Sequence, residues 1–101
     1  MLIYSVDFSG TTASGVYSAN TKKFNSVLLK QIIIEFTTDG TTFNLAITDR
    51  DGLTVFNTDT VATSKYRQEM EIPLKDICTV RISSASADEV FKGKILVQEI
   101  P

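Results

Sequence analysis

"VLLKQIIIEFT", residues 27–37, decides the fold of this chain. Its apolar content alone would allow a helix. Three consecutive isoleucines, Ile32 to Ile34, and the flanking Thr37 favour a strand. β-Branched side chains are stiff at χ1 and pack well on a pleated surface. In strict alternation the even positions are Leu28, Lys30, Ile32, Ile34 and Phe36, and the odd ones are Val27, Leu29, Gln31, Ile33 and Glu35. Both faces carry apolar side chains, so the strand is expected to be covered on both sides. One cover is the core. The other is a second layer of the same chain or another subunit, and Phe24, Val27, Leu29 and Ile33 are the residues such an interface would use.

Working outward, the neighbouring segments also read as strands. Asp39-Gly40 signals a tight hairpin, because a type I′ turn needs positive φ twice. "TFNLAIT", residues 42–48, turns Phe43, Leu45 and Ile47 inward, and "LTVFN" places Leu53 and Val55 on the same core face. Residues 27–57 are therefore expected to form a three-stranded meander. "LIYSVDF", residues 2–8, sets Leu2, Tyr4, Val6 and Phe8 on one face. "YRQEMEIPL" turns Tyr66, Met70, Ile72 and Leu74 one way and Arg67, Glu69 and Glu71 the other. Pro73 cannot donate to a ladder and marks a strand end or a sheet edge. Cys78, Val80 and Ile82 share a face, as do Phe91, Ile95 and Val97. No helix is convincing. The expected fold is an all-β, seven- to eight-stranded antiparallel β-sandwich, jelly-roll-like or immunoglobulin-like.

With 101 residues the chain reads as one domain, 1–101, whose residues 1–26 form an extended N-terminal arm or edge strand. Val16 and Tyr17 lie in that region and offer an edge for a neighbouring chain. A net charge of −2, evenly spread, excludes the concentrated basic surface of a nucleic-acid binder. No run reaches membrane-spanning length, and no signal peptide is expected. The lone Cys78 rules out an internal disulfide and fits synthesis in a reducing cytosol.

Catalytic residue types are scarce. There is no histidine, the commonest base for a serine or cysteine nucleophile, and zinc finds too few ligands. Cys78 sits at a core-facing strand position and reads as a small buried hydrophobe. Glu69 and Glu71 share one strand face beside Arg67, a solvated charged surface. The acidic loop "ITDRDGLTVF", residues 47–56, raises the question of calcium. Counted from Asp49, Asp51 is third but glycine falls at the fourth position, and Thr54 and Thr60 occupy the sixth and twelfth. A turn with Gly52 in the left-handed position fits better. A loose surface calcium site would draw on Asp49 and Asp51 with Asp39 or Asp59. No cofactor is expected, and the chain reads as a non-enzyme. Sugar binding would need an exposed ring, and Tyr17 is the tyrosine left free by the alternation.

The order "LLKQIIIEF", "TTFNLAITDRDGLTVF" and "EIPLKDICTVRISSASADEVFKGKILVQEI" resembles the small β-sandwich structural proteins of tailed bacteriophages that decorate or cement the capsid. The shared elements are the TDxDGxxVF hairpin, the IPLxxIxTVxI pair and the ILVQE strand, across roughly residues 28–100. The resemblance implies a virion protein made in the host cytoplasm. It also implies self-association, with a homotrimer favoured, and contact with a major capsid or other virion protein. The alternative is a carbohydrate- or receptor-binding module of a virion fibre or tail.

Overall fold

A computed structural model of the chain describes residues 2–38, 42–61, 65–85 and 88–100. Nine strands run in chain order: β1 (Ile3–Asp7), β2 (Gly10–Thr11), β3 (Tyr17–Asn20), β4 (Phe24–Phe36), β5 (Phe43–Thr48), β6 (Thr54–Val61), β7 (Lys65–Asp76), β8 (Thr79–Ser83) and β9 (Val90–Glu99). They form two antiparallel sheets that make a β-sandwich. One sheet has the order β1-β9-β4-β7, with β2 also pairing β9, and the other has the order β3-β8-β5-β6. No helix among the described residues is long and apolar enough to cross a membrane.

β1 and β2 are one edge strand interrupted at Phe8 and Ser9. Both pair β9, and between them the Phe8 amide donates to the Gly93 carbonyl while Ser9 Oγ accepts from the Gly93 amide. Counted as one, they leave eight strands whose pairing follows a simple rule. β1 pairs β9, β3 pairs β8, β4 pairs β7, and β5 pairs β6. The chain is thus a long antiparallel ribbon, doubled back at residues 49–52 and rolled until β9 meets β4 and β8 meets β5. That is jelly-roll connectivity. It settles the choice between the two expected sandwich types.

The rolled ribbon corrects the expected meander. β4 lies in one sheet and β5 in the other, so residues 27–57 cross between layers, and only β5 and β6 form a hairpin. Phe36 and Phe43 meet through the core with ring centroids 5.0 Å apart. The Asp39-Gly40 turn expected between them lies outside the described residues.

A second correction concerns β4 itself. Its register shifts between Leu29 and Gln31 against both neighbours, and again between Phe24 and Val27 against β7. At the first bulge Lys30 and Gln31 both take the outer face: Lys30 reaches Glu71, and Gln31 pairs Leu96 and Glu69. Strict alternation therefore fails, and Phe24, Val27, Leu29, Ile32, Ile34 and Phe36 all face inward, each no more than 2% exposed. The apolar second face assumed for this strand shrinks to Leu28 and Ile33.

Alternation holds along β5, β8 and β9, whereas β6 shifts register twice against β5 and leaves Val55 and Phe56 half-buried in succession. Phe43, Leu45 and Ile47 of β5, Val80 and Ile82 of β8, and Phe91, Ile95 and Val97 of β9 are buried, as is Cys78 just before β8. Tyr4, Val6 and Phe8 turn inward, but Leu2 does not follow them and is exposed. Leu53 is also exposed, at the mouth of the 49–52 turn, so it does not join Val55 against the core. Gly93 faces inward where a side chain would collide with the Phe8 ring, its nearest carbon 2.3 Å from an added Cβ.

Gly93→Ala is expected to lower unfolding free energy by about 1–3 kcal/mol, because the ring must shift in a filled core. Phe8→Leu in the same chain should recover part of that loss in urea melts. An unchanged midpoint for Gly93→Ala would show that the Phe8 ring moves freely.

Candidate interaction surface

The outer face of the β1-β9-β4-β7 sheet is the broadest regular surface, and register fixes its rows. Ile3, Gln98, Leu28 and Pro73 form one row, and Ser5, Leu96, Gln31 and Glu69 the next. Asp7, Lys94, Ile33 and Arg67 form a third, followed by Lys92, Glu35 and Lys65. Ile33 is half-buried among Lys94, Arg67 and its neighbours, where long charged stems can cover it. Asp7 and Glu35 line the same open depression as Ile33. They stand two strands apart and one row displaced, roughly 12 Å between backbones, with the lysines of β9 between them. The alternation of charges across the face suits a solvated ladder.

Lys30 Nζ meets Glu71 Oε1 at 2.6 Å across the bulge, and this hydrogen bond holds the Glu71 carboxyl below its ordinary range. Lys65 stands 4.0 Å from Glu35. The side chains of Arg67 and Glu69 form no ion pair among the described residues, although they are two positions apart on one exposed edge. Among the described residues no strand covers the outer edge of β7.

The interface residues expected from sequence divide sharply. Phe24, Val27 and Leu29 belong to the chain's own core and have no surface left to give, because the bulges of β4 turn them inward. Ile33 alone of that group reaches the outer face. Val16 bridges Ala13, and Tyr17 begins the edge strand β3. The Tyr17 ring is half-buried, edge-on to Phe91 at 4.8 Å and pressed over Gly10, where an added Cβ would lie 2.5 Å away. It is a packed ring, not the open platform a sugar would stack on.

The 49–52 loop is built as a turn. Asp49 Oδ1 accepts from the Asp51 and Leu53 amides at 2.9 and 3.0 Å, and the Gly52 amide donates to the Asp49 carbonyl at 3.0 Å. Gly52 takes φ 81°, the left-handed conformation that glycine adopts without penalty. Asp51 is exposed and points away toward Arg50 at 4.0 Å. Arg50 Nη1 also reaches Asp76 Oδ2 at 2.8 Å, tying the ribbon's tip to the end of β7. That bond, helped by the Ile77 amide on Oδ1, lowers the Asp76 carboxyl below its usual value. Burial raises the Cys78 thiol above its ordinary range, which suits an inert core residue. Sequence reasoning missed Asp76, whose partner Arg50 is distant in the chain and gives no local signal.

No protein-family model matches the chain, and no curated protein matches it. Solved structures with a similar course include the structure of infectious bursal disease virus Gx strain, at 17% identity and TM-score 0.44, covering 95% of this chain and 31% of that one. Another is the carbohydrate-binding module CBM36 in complex with calcium and xylotriose, at 15% identity and TM-score 0.44, covering 94% and 88%. A third is the Drosophila NLP-core, at 8% identity and TM-score 0.46, covering 92% and 99%. The chain spans about a third of the length of the viral chains it matches. Likenesses this distant concern the fold alone.

Asp76 adopts φ 65°, which asparagine also tolerates, so Asp76→Asn removes charge with little backbone strain. A carboxyl depressed in the folded state stabilises above its ordinary pKa, and that contribution is lost as pH falls through the folded value. Asp76→Asn is therefore expected to melt lower than the parent at neutral pH and to converge with it in strong acid. A melting gap that stays constant with pH would trace the loss to the turn rather than to the charge.

Proposed function

We propose that this protein is a non-enzymatic, single-domain structural component of a virus particle, in the manner of the decoration or cement proteins of tailed bacteriophages. It acts by contact with its own copies and with a capsid or other virion protein, and it resides in the virion. The observation that carries this reading is the surface. The outer sheet face ends at the long edge of β7, which no strand covers among the described residues, and an open strand edge is suited to contact with another chain. The sequence likeness over residues 28–100 points the same way. The jelly-roll connectivity is compatible with it but serves many functions, so it adds no weight by itself. The carbohydrate-binding alternative loses its aromatic platform, since Tyr17 is packed on Phe91. The phage likeness implies a homotrimer, whereas the charge order along β7, Lys65 and Arg67 followed by Glu69 and Glu71, favours a two-fold contact.

Mass spectrometry of purified particles from the virus encoding this chain is expected to find it in many copies per particle. Recombinant protein should co-sediment with particles stripped of it. Absence from purified particles, together with no co-sedimentation, would sink this reading.

A further inference from the structure

β7 carries its charges in blocks. On its outer face Lys65 and Arg67 are followed by Glu69 and Glu71, and all four are exposed. Its inner face continues the core through Tyr66 and Met70, both partly buried. Two strands pairing antiparallel place same-face residues opposite one another, and a two-fold contact pairs residue i with j and j with i. A run of two cations then two anions is its own complement when reversed. Centred on Gln68, Arg67 opposes Glu69 of a second copy, Lys65 opposes Glu71, and Tyr66 opposes Met70.

Other registers do worse. Centring on Arg67 or Glu69 brings that residue against its own copy. Centring on Tyr66, Met70 or Glu71 opposes like charges. Centring on Ile72 or Pro73 keeps fewer ion pairs and brings Pro73, which has no N–H to donate, to the axis. Edge charges usually discourage pairing, and here they discourage nearly every alignment except one. Within the chain, Arg67 and Glu69 lack ionic partners among the described residues, while Lys65 sits near Glu35 and Glu71 bonds Lys30. The Gln68-centred contact would give Arg67 and Glu69 each an opposite charge. It would also join Lys30, Glu71, the second copy's Lys65 and its Glu35 into one alternating row.

From this pattern we infer that β7 is a homodimerisation edge, joining two copies antiparallel about a two-fold axis at Gln68 and fusing their β1-β9-β4-β7 sheets into one continuous sheet. The inference rests on the self-association part of the proposed function, and particle binding is measured separately. A protein that dimerises but ignores particles defeats only the functional reading, and a particle-bound monomer defeats only this one.

Sedimentation equilibrium over a concentration series tests it, with circular dichroism to verify that each variant is folded. The parent is expected to dimerise, more weakly as salt rises. Arg67→Glu or Glu69→Arg alone replaces two ion pairs by two like-charge pairs per dimer and should weaken it about tenfold or more. An equimolar mixture of the two variants should regain parent-like dimers as heterodimers, because Glu at 67 and 69 in one copy then faces Arg at 67 and 69 in the other. The double variant R67E/E69R should likewise recover homodimers. A monomeric parent, single variants that dimerise like the parent, or a mixture that stays monomeric would overturn the inference.

Discussion

The whole sandwich depends on the parity break in β4. This strand is hydrogen-bonded on both edges, so its inward side chains must fill the middle of the core. A strand of thirteen residues in strict alternation would divide its apolar residues between two faces. The bulge at Lys30 and Gln31 prevents this. Val27 and Leu29 on one side of it, and Ile32, Ile34 and Phe36 on the other, enter a single core. Two adjacent polar residues are sent outward at the point of irregularity, where water and Glu71 can satisfy them. Bulges also bend and twist a strand, which helps a long ribbon to roll. Local irregularity therefore serves global closure.

This explains what the sequence made legible. Strand existence and inward residues were readable wherever alternation is unbroken, as at Phe43-Leu45-Ile47, Val80-Ile82 and Phe91-Ile95-Val97. The turn at Asp49–Gly52 was readable because its chemistry is local: a carboxylate that caps two amides and a glycine at positive φ. The bulge was not readable. Nothing in "LLKQII" distinguishes an extra residue from a regular one, and a shift of one position moves every following side chain to the other face. The assignment of β4 and β5 to different sheets was equally hidden, because a short polar connection can close a hairpin or cross a sandwich. The exposed Leu53 shows the same limit at smaller scale, since β6 shifts register between Thr54 and Phe56 and sets Phe56 opposite the buried Ile47.

The candidate surface was only half visible. Sequence pointed to the isoleucine run as a place for partners, and four side chains were named there, of which only Ile33 reaches the outer face. The charges of "KYRQEME" were legible as a solvated face but not as an edge, because edge position belongs to topology. Once β7 is known to be the outermost strand, the same letters carry different information. Buried Thr12 and Thr21 are a further case. Each hydroxyl accepts a backbone amide, from Glu89 and Cys78 respectively, and so ties an N-terminal segment to the far end of the chain. Both lie outside the regular strands, Thr12 just after β2 and Thr21 just after β3, and each acts as a structural pin.

The pairing of β1 with β9 has a mechanical consequence. Ile3 lies opposite Gln98 and Asp7 opposite Lys94, so residues 2 and 100 emerge side by side from the same end of one ladder. Tension applied between those two points loads the hydrogen bonds one after another, as in a zipper, instead of sharing the force along the strands. The sheet thus yields easily to a pull at that corner. A load entering through β7 and leaving through β9 is shared along two antiparallel ladders instead. Where a partner grips this protein therefore matters as much to its endurance as how tightly it grips.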